Sequence, residues 1–290
     1  MLFRRHSGLS VDARASLAAL LRAPTFELIP LKSSMDQAAT LPAGATVSVT
    51  ASPAKGIEAT VALCEQLQAA GFRAVPHLSA RMIRDRAHLR DLVAWLEGVG
   101  ADRAFVVGGD AKEPGEFSDG LSLLRAMAEI GHPLTEIGVP CYPQGHPFIP
   151  DAVLLEALRA KATFASYMTT QLCFDPAAIR SWLDARRAEG LELPVHLGLP
   201  GVAEPHRLLA ITARIGVADT HRFLSKNARF VARLIRSGGF YRPDGLLDGL
   251  GPITADPAAA IVDFHVYTFN NVGPTEEWRR RYLERLGGRA

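Results

Sequence analysis

The stretch ATVSVTASPAKGIEATVALCEQLQAAGFRAVPHL, residues 45–78, decides the fold. It opens on a run rich in valine and threonine, which is typical of a β-strand. In the middle, Ala59, Ala62, Leu63 and Leu67 recur at helical spacing, and the stretch closes on a second apolar run. A strand, a helix and a strand in this order form a unit of two parallel strands with a right-handed crossover.

The same alternation recurs along the whole chain of 290 residues. Six further strand-like runs read TFELIP, RAFVVGG, TEIGVPCY, SYMTTQL, LPVHLGLP and IVDFHVYTF, which makes eight. Eight such units close into a (βα)8 TIM barrel, which usually needs about 250 residues. We therefore predict an α/β chain with an N-terminal helix or extension over residues 1–23 and one barrel domain over residues 24–290, including extra C-terminal helices.

Local signals set some of the boundaries. Ser10 is the expected N-cap of the first helix, and Pro24 is expected to end that helix. The stretch THRFLSKNARFVARLIRSGG predicts extra helix, and FYRPDGLLDGLGPITADP is read as a long polar loop that could act as a lid. Thr275 is the expected N-cap of the last helix, whose arginine run is read as a solvent-facing surface.

Composition excludes several classes of function. Hydrophobic residues at 48%, charged residues at 21% and a net charge of +2 are globular values without the basic stripe of a nucleic-acid binder. No apolar run approaches the roughly 20 residues that span a bilayer, so no membrane partner is expected. The three cysteines are widely spaced, which predicts a reducing, cytoplasmic location. A homo-oligomer is compatible with this composition.

In a barrel, active-site residues lie at the carboxyl ends of the strands. Each polar residue there has a structural alternative: Glu27 could pair with a Lys or Arg, His77 could brace a loop, and Asp110 could cap a helix. Together they predict a pocket for a ligand rich in hydrogen bonds. The set comprises Glu27, Thr50, His77, Asp110, Tyr142, His146, Thr170, Gln171, His265, Tyr267 and Asn270.

The sequence lacks the residues that several kinds of catalysis require. The first strand, FELIP, offers one Glu and no His, so no metal centre is predicted. Neither a phosphate-binding glycine loop nor a nucleophile elbow is present. Acid–base or hydride chemistry remains.

Taken in order, FELIPLK, VSVTA, PHLSAR, VGGDAKEP, GVPCYPQGHP, TTQLCFD, GLPG and FHVYTFN resemble the methylenetetrahydrofolate reductase family, from about Pro24 to Asn270. The resemblance implies a (βα)8 barrel that reduces 5,10-methylenetetrahydrofolate to 5-methyltetrahydrofolate, with NADH or NADPH as electron source and usually FAD as carrier. Glu27 matches the family's general acid, and its apolar neighbours in the strand are expected to favour the protonated form.

The resemblance also implies roles for the other strand ends. Asp110 and Gln171 match residues that contact the pterin of the folate. The positions that bind the cofactor and line the flavin in flavin-containing members are matched by Thr50, His77, Gly109, Tyr142, His146 and Tyr267.

The sequence departs from the family pattern at four elements on the flavin side. Members usually read RGD after strand four, whereas Gly108 stands at the position of the Arg. Lys161 is followed by ATFASYMTTQ without the usual Asp, TASP replaces TYGA, and Glu116 and Phe117 stand where YA is usual. These departures predict a member of the flavin-independent branch, in which the hydride passes directly from nicotinamide to folate.

Three alternatives remain open at this point. One is a flavoprotein whose backbone amides replace the lost side chains. Another is a tetrahydrofolate-dependent methyltransferase on a pterin-binding barrel, which would consume no nicotinamide. The last is a non-catalytic folate-binding relative, which would be expected to lose Glu27.

Overall fold

The computed structural model describes residues 8–206, 208 and 239–288. Within them, eight parallel strands form a closed barrel in sequential order, β1 beside β2 and onward until β8 pairs with β1. The strands are β1 (Thr25–Leu28), β2 (Thr46–Val49), β3 (Arg73–Ser79), β4 (Arg103–Val107), β5 (Glu136–Cys141), β6 (Tyr167–Thr170), β7 (Val195–Pro200) and β8 (Ile261–Tyr267).

Helices follow the strands and cover the outside of the barrel, as the alternating pattern predicts. They are α1 (Val11–Arg22), α2 (Ser34–Ala38), α3 (Glu58–Ala69), α4 (Arg86–Gly98), α5 (Gly120–Ile130), α6 (Asp151–Lys161), α7 (Pro176–Ala188), α8 (Asp244–Thr254) and α9 (Val272–Arg285). Two 3₁₀ turns, Ala80–Met82 and Pro257–Ala259, complete the described elements. The predicted single (βα)8 barrel is confirmed.

The strands divide their side chains between two cores. Phe26, Leu28 and other alternate residues are buried in the large core against the helices. Val75, Phe105 and Tyr167 form a separate small cluster, which places them inside the barrel. Gly138 makes room for it, because a Cβ there would lie 2.4 Å from the Tyr167 ring and 2.6 Å from the Phe105 ring.

The first helix begins and ends as the sequence predicts. The Ser10 hydroxyl caps α1 by accepting from the Ala13 amide at 3.1 Å, and α1 ends one residue before Ala23. Its partner is α8: a Cβ on Gly251 would lie 2.6 Å from the Leu9 side chain and 3.2 Å from the Ala13 Cβ. A glycine there lets the two helices approach closely.

The prediction of a long polar loop before β8 is wrong, since most of it is helix α8. Leu246, Leu247, Leu250 and Ile253 are buried at helical spacing, a period that the surrounding Gly, Asp and Pro residues obscure. The predicted helix in THRFLSKNARFVARLIRSGG falls almost entirely on residues 220–238, which lie outside the described residues.

One prediction about the last helix is wrong, and the prediction that its arginine run faces solvent holds for Arg280 and Arg281 but not for Arg279. The N-cap position of α9 is Asn271, and the Thr275 hydroxyl instead donates to the Asn271 carbonyl at 2.7 Å inside the first turn. Arg279 is buried: it bonds Glu276 at 2.6 and 2.8 Å and donates to the Leu21 carbonyl. It therefore joins α9 to α1, whereas the helical pattern alone places it on the surface.

None of the helices in the described part of the chain has the length and apolar character required to cross a membrane.

Candidate functional site

A carboxylate and two imidazoles meet inside the barrel, near the carboxyl ends of the strands. Glu27 is the third residue of β1, His77 lies in β3 and His265 in β8. Glu27 Oε2 lies 3.2 Å from His265 Nε2 and 3.9 Å from His77 Nε2. The side chains are 15%, 4% and 9% exposed for Glu27, His265 and His77. Three strands thus contribute to one polar cluster at the carboxyl end of the barrel.

His77 is held by further contacts. Its Nε2 lies 2.7 Å from the Ser48 hydroxyl, and its ring packs on Phe105 with centroids 4.9 Å apart. Burial lowers the pKa of His77 to about 4, against the opposing attraction of Glu27. His77 is therefore a neutral imidazole at physiological pH.

The expectation that Glu27 has apolar surroundings is wrong for its carboxylate. Phe26 and Leu28 face the outer core, whereas the carboxylate faces His265 and His77. With its proton on Nδ1, His265 accepts from a protonated Glu27, and with its proton on Nε2 it donates to the carboxylate. The contact can therefore form with the shared proton on either atom.

Tyr267 closes the cluster on the β8 side. It stands opposite Glu27 in the β1–β8 register, and its ring lies 4.9 Å from that of His265. Its hydroxyl donates to the Thr170 carbonyl at 3.0 Å. Burial raises the pKa of Tyr267 well above its ordinary value, so the phenol stays neutral.

On the rim after β4, Gly109 and Asp110 begin the loop into α5. Gly109 has φ +86°, and a Cβ there would lie 2.0 Å from the Ser79 hydroxyl oxygen, so only glycine fits. This tight turn presents Asp110 as an exposed carboxylate beside the barrel mouth.

Arg81 fastens this loop from the neighbouring strand connection. Its guanidinium donates to the carbonyls of Ala111 at 2.6 Å, Lys112 at 2.9 Å and Ser118 at 3.4 Å. Its own amide donates to the Gly108 carbonyl at 3.0 Å. Arg81 therefore fixes the backbone on both sides of Asp110.

The rim after β5 and β6 carries Tyr142, His146 and Gln171. Tyr142 and His146 meet edge to face with centroids 5.4 Å apart; burial raises the pKa of Tyr142 to about 12 and lowers that of His146. Gln171 Oε1 accepts from the Leu172 amide at 2.8 Å. Its NH₂ group is thus the part left to donate to a ligand.

Two other strand-end residues serve the backbone. The Thr50 amide donates to the Leu28 carbonyl at 2.9 Å, which joins the ends of β2 and β1. Asn270 exchanges two hydrogen bonds with the backbone of Ile29, at 2.8 and 2.9 Å. Asn270 is therefore a structural joint, while Thr50 borders the mouth.

The structure thus separates the predicted residues into an interior group and a rim. Glu27, His77 and Tyr267 lie together inside; the rim holds Thr50, Gly109, Asp110, Tyr142, His146 and Gln171. Sequence reasoning gave no role to His265 and missed Ser48 and Arg81. His265 was already among the strand-end candidates, and two-residue periodicity could have found Ser48, because Ser48 precedes Thr50 by two positions.

A cavity of about 290 Å³ adjoins the rim between α6 and α7. Tyr142 and Gly145 border it, with Leu158, Trp182 and Arg186 among its other walls. It offers room for part of an extended ligand beside Tyr142.

Comparison with known families decides the chain's relationship. Residues 28–217 match the family described as methylenetetrahydrofolate reductase, which is more than half of the chain. The chain belongs to the methylenetetrahydrofolate reductase family. This membership supports a folate-related oxidoreductase. The match includes all the predicted residues from Thr50 to Gln171, whereas Glu27 precedes it by one residue and β8 lies beyond it.

Several solved structures resemble this chain at low sequence identity. A provisionally assigned phosphonomutase from Burkholderia cenocepacia is 13% identical, with 95% of this chain and 100% of that chain covered and a TM-score of 0.45. A muconate cycloisomerase from Azorhizobium caulinodans is also 13% identical, with 90% and 61% covered and a TM-score of 0.43. These values carry no argument about function.

The FAD usual in this family can be tested against the rim. A pyrophosphate is commonly held by charge-assisted contacts with Arg or Lys, and Gly108 has no side chain to offer one. Arg81 already donates to three carbonyls, and Lys55 Nζ donates to the Pro30 carbonyl at 2.7 Å. Arg81 and Lys55 are thus already engaged with backbone carbonyls on this side of the described rim.

Proposed function

We propose that this protein reduces 5,10-methylenetetrahydrofolate to 5-methyltetrahydrofolate with a hydride from NADH or NADPH. The single observation that carries the proposal is the Glu27–His265 contact of 3.2 Å inside the barrel mouth of a chain in this family. A carboxyl group held by a neighbouring imidazole at this place is suited to give a proton to a nitrogen of a bound pterin.

Glu27 is the proposed proton donor. The methylene bridge joins two nitrogens, and a nitrogen leaves poorly unless it is protonated. Proton transfer from Glu27 Oε2 releases that nitrogen and leaves an iminium carbon, which accepts the hydride. One hydride and one proton are added to the folate, the oxidised nicotinamide leaves, and Glu27 regains its proton from solvent.

Asp110 and Gln171 are proposed to orient the pterin. The Asp110 carboxylate can accept from the amide and amino donors of the ring. The Gln171 NH₂ can donate to a ring acceptor, because its carbonyl oxygen is already bonded to the Leu172 amide. One acceptor after β4 and one donor after β6 give the ring a single orientation.

The hydride is proposed to pass directly from nicotinamide to folate, without flavin. The proposal is supported by Gly108 in place of the usual arginine and by the use of Arg81 as a loop fastener. Tyr142, His146 and Tyr267 would then border the nicotinamide. Direct transfer requires its donor carbon at about 3 to 3.5 Å from the iminium carbon.

An anaerobic assay tests the reaction. Purified protein, methylenetetrahydrofolate and either NADH or NADPH are mixed with FAD absent or added, and nicotinamide absorbance and folate products are followed. We expect nicotinamide oxidation matched by 5-methyltetrahydrofolate and no dependence on FAD. In a parallel mixture of the protein with 5-methyltetrahydrofolate and a thiol or corrinoid acceptor, methyl transfer without nicotinamide would indicate the methyltransferase instead. Folate binding without product in either mixture would indicate a non-catalytic relative.

A further inference from the structure

The cluster of Glu27, His77 and His265 also has the composition of a metal site. Among residues 8–206, 208 and 239–288, Glu27, His77 and His265 are the one group of three His, Cys, Asp or Glu residues whose ligand atoms all lie within 4.8 Å of one another. Each comes from a different strand, so a search for ligands within the first strand could not find the group.

Two imidazole nitrogens and one carboxylate oxygen are the ligand set of many zinc sites that keep an open fourth position. Around a tetrahedral Zn²⁺ with bonds near 2.1 Å, neighbouring ligand atoms lie about 3.4 Å apart. Glu27 Oε2 is 3.2 Å from His265 Nε2 and 3.9 Å from His77 Nε2. Small side-chain rotations would bring these ligands to a common metal, with the open position toward the mouth.

The same atoms now take part in hydrogen bonds. His77 Nε2 lies 2.7 Å from the Ser48 hydroxyl, a bond that a metal would replace. Glu27 Oε2 is the atom that would carry the proton, and a ligand oxygen cannot hold both a proton and Zn²⁺. Metal and proton therefore compete for one atom.

We propose that Glu27, His77 and His265 form a Zn²⁺ site and that zinc bound there inhibits the enzyme by occupying Glu27 Oε2, the oxygen that the proposed reaction uses. The binding stands on the cluster alone, whereas the inhibition rests on the proposed reductase function. Folate in the mouth would cover the open position, so folate and zinc would exclude one another.

Binding is tested first, without turnover. Tag-free protein is titrated with Zn²⁺ by calorimetry and with Co²⁺ by visible absorption. We expect one metal per chain and the d–d bands of a low-symmetry cobalt site. His265→Gln and His77→Gln should each weaken binding by about 10- to 100-fold or more. His206→Ala is the control, because His206 is exposed and lies outside the cluster; it should bind as the parent does.

The outcomes are distinct. Absence of a cobalt spectrum in the parent protein, or binding unchanged in both cluster variants, would overturn the site even if the reductase reaction is real. If the site binds metal, Zn²⁺ should inhibit turnover reversibly, with relief by a chelator and protection by folate. Folate and Zn²⁺ that bind the parent together, each without weakening the other in titrations, would overturn the inhibitory role. The three cysteines are buried, so they offer no competing exposed thiols.

Discussion

The interior of this barrel contains two polar networks built from similar residues. The upper network, nearer the carboxyl ends of the strands, joins Glu27 to His77 and His265. The lower one joins Asp263 to Thr25, whose hydroxyl donates at 2.6 Å, and to His196, whose Nδ1 lies 3.5 Å away. Thr25 and Asp263 stand one inward-facing position earlier along β1 and β8 than Glu27 and His265, and His196 of β7 pairs with Asp263.

The two networks differ in what surrounds them. The lower histidine, His196, is stacked on Tyr167 with centroids 3.9 Å apart, and burial lowers the pKa of His196 to about 3. Burial also raises the pKa of Asp263 to about 6, although Thr25 opposes this. The upper network instead borders the mouth. Position along the strand, more than residue type, distinguishes the two carboxylates, because the carboxyl ends of barrel strands face the mouth.

The largest expected effect is on turnover. Replacing Glu27 by Gln should lower kcat by about 10²- to 10⁴-fold, the usual contribution of a positioned general acid, while folate still binds. The matched carboxylate-to-amide change in the lower network, Asp263→Asn, should leave kcat within about threefold. Steady-state kinetics and folate titration of both variants check this. A Glu27→Gln enzyme as active as Asp263→Asn would remove the distinction between the networks.

The lower network should affect the free energy of unfolding. Because the folded chain binds a proton at Asp263 more readily than the unfolded chain, the charged carboxylate lowers the free energy of unfolding above about pH 6. This cost declines as pH falls from about 6 toward the ordinary aspartate value of about 4.

Asp263→Asn should therefore be more stable than the parent by about 1 to 3 kcal/mol at pH 8, with the difference shrinking below pH 6. His196 stays neutral over this range in both proteins, since its pKa is about 3. Urea unfolding at pH 8, 6 and 5 gives the measurement. A less stable variant at pH 8 would mean that the Asp263 charge is compensated.

A smaller effect is expected at the rim. Asp110→Asn should raise the KM for the folate by about tenfold, because an amide nitrogen replaces one acceptor oxygen facing the ring donors. The KM for the nicotinamide should stay near the parent value. A folate KM unchanged in this variant would place Asp110 outside the pocket.

The smallest expected effect concerns the residue behind Asp110. Arg81→Ala should raise the folate KM by about two- to fivefold, because three carbonyls of the Asp110 loop lose their donor. The control is Arg84→Ala, since Arg84 forms an exposed ion pair with Glu58 at 3.8 Å and should have little influence. Arg81→Ala combined with Asp110→Asn should raise KM by less than the product of the single effects. Full additivity would contradict the positioning role.

The barrel could be predicted because eight strand patterns alternate with helical patterns along the chain. Each repeat independently indicates a strand followed by a helix. Helix α8 was missed because Gly249, Gly251 and Pro252 read locally as a loop, while Gly251 in fact permits contact with α1. The burial of Arg279 was missed because the sequence of a helix does not show which of its charged side chains will bond a distant segment. Arg279 donates to the carbonyl of Leu21 in α1.

The candidate site could be predicted only as a collection of strand ends. Sequence position placed Glu27 and Tyr267 at the mouth, but the partner of Glu27 depends on how β8 closes against β1, a contact between residues 238 positions apart. The His77 contact depends instead on β2, which pairs with both β1 and β3. Long-range register therefore decided what the local apolar pattern of β1 could not: Glu27 faces imidazoles.

The most direct test of direct hydride transfer follows one deuterium. The protein is supplied with methylenetetrahydrofolate and with NADH or NADPH deuterated at the transferable position, in ordinary water, and the methyl group of the product is analysed by mass spectrometry. The account predicts one deuterium per methyl group and, in the reverse labelling with unlabelled nicotinamide in heavy water, none. Deuterium lost to solvent in the first experiment and gained from solvent in the second would show an exchangeable carrier such as a reduced flavin, and would contradict direct transfer at the Glu27 mouth.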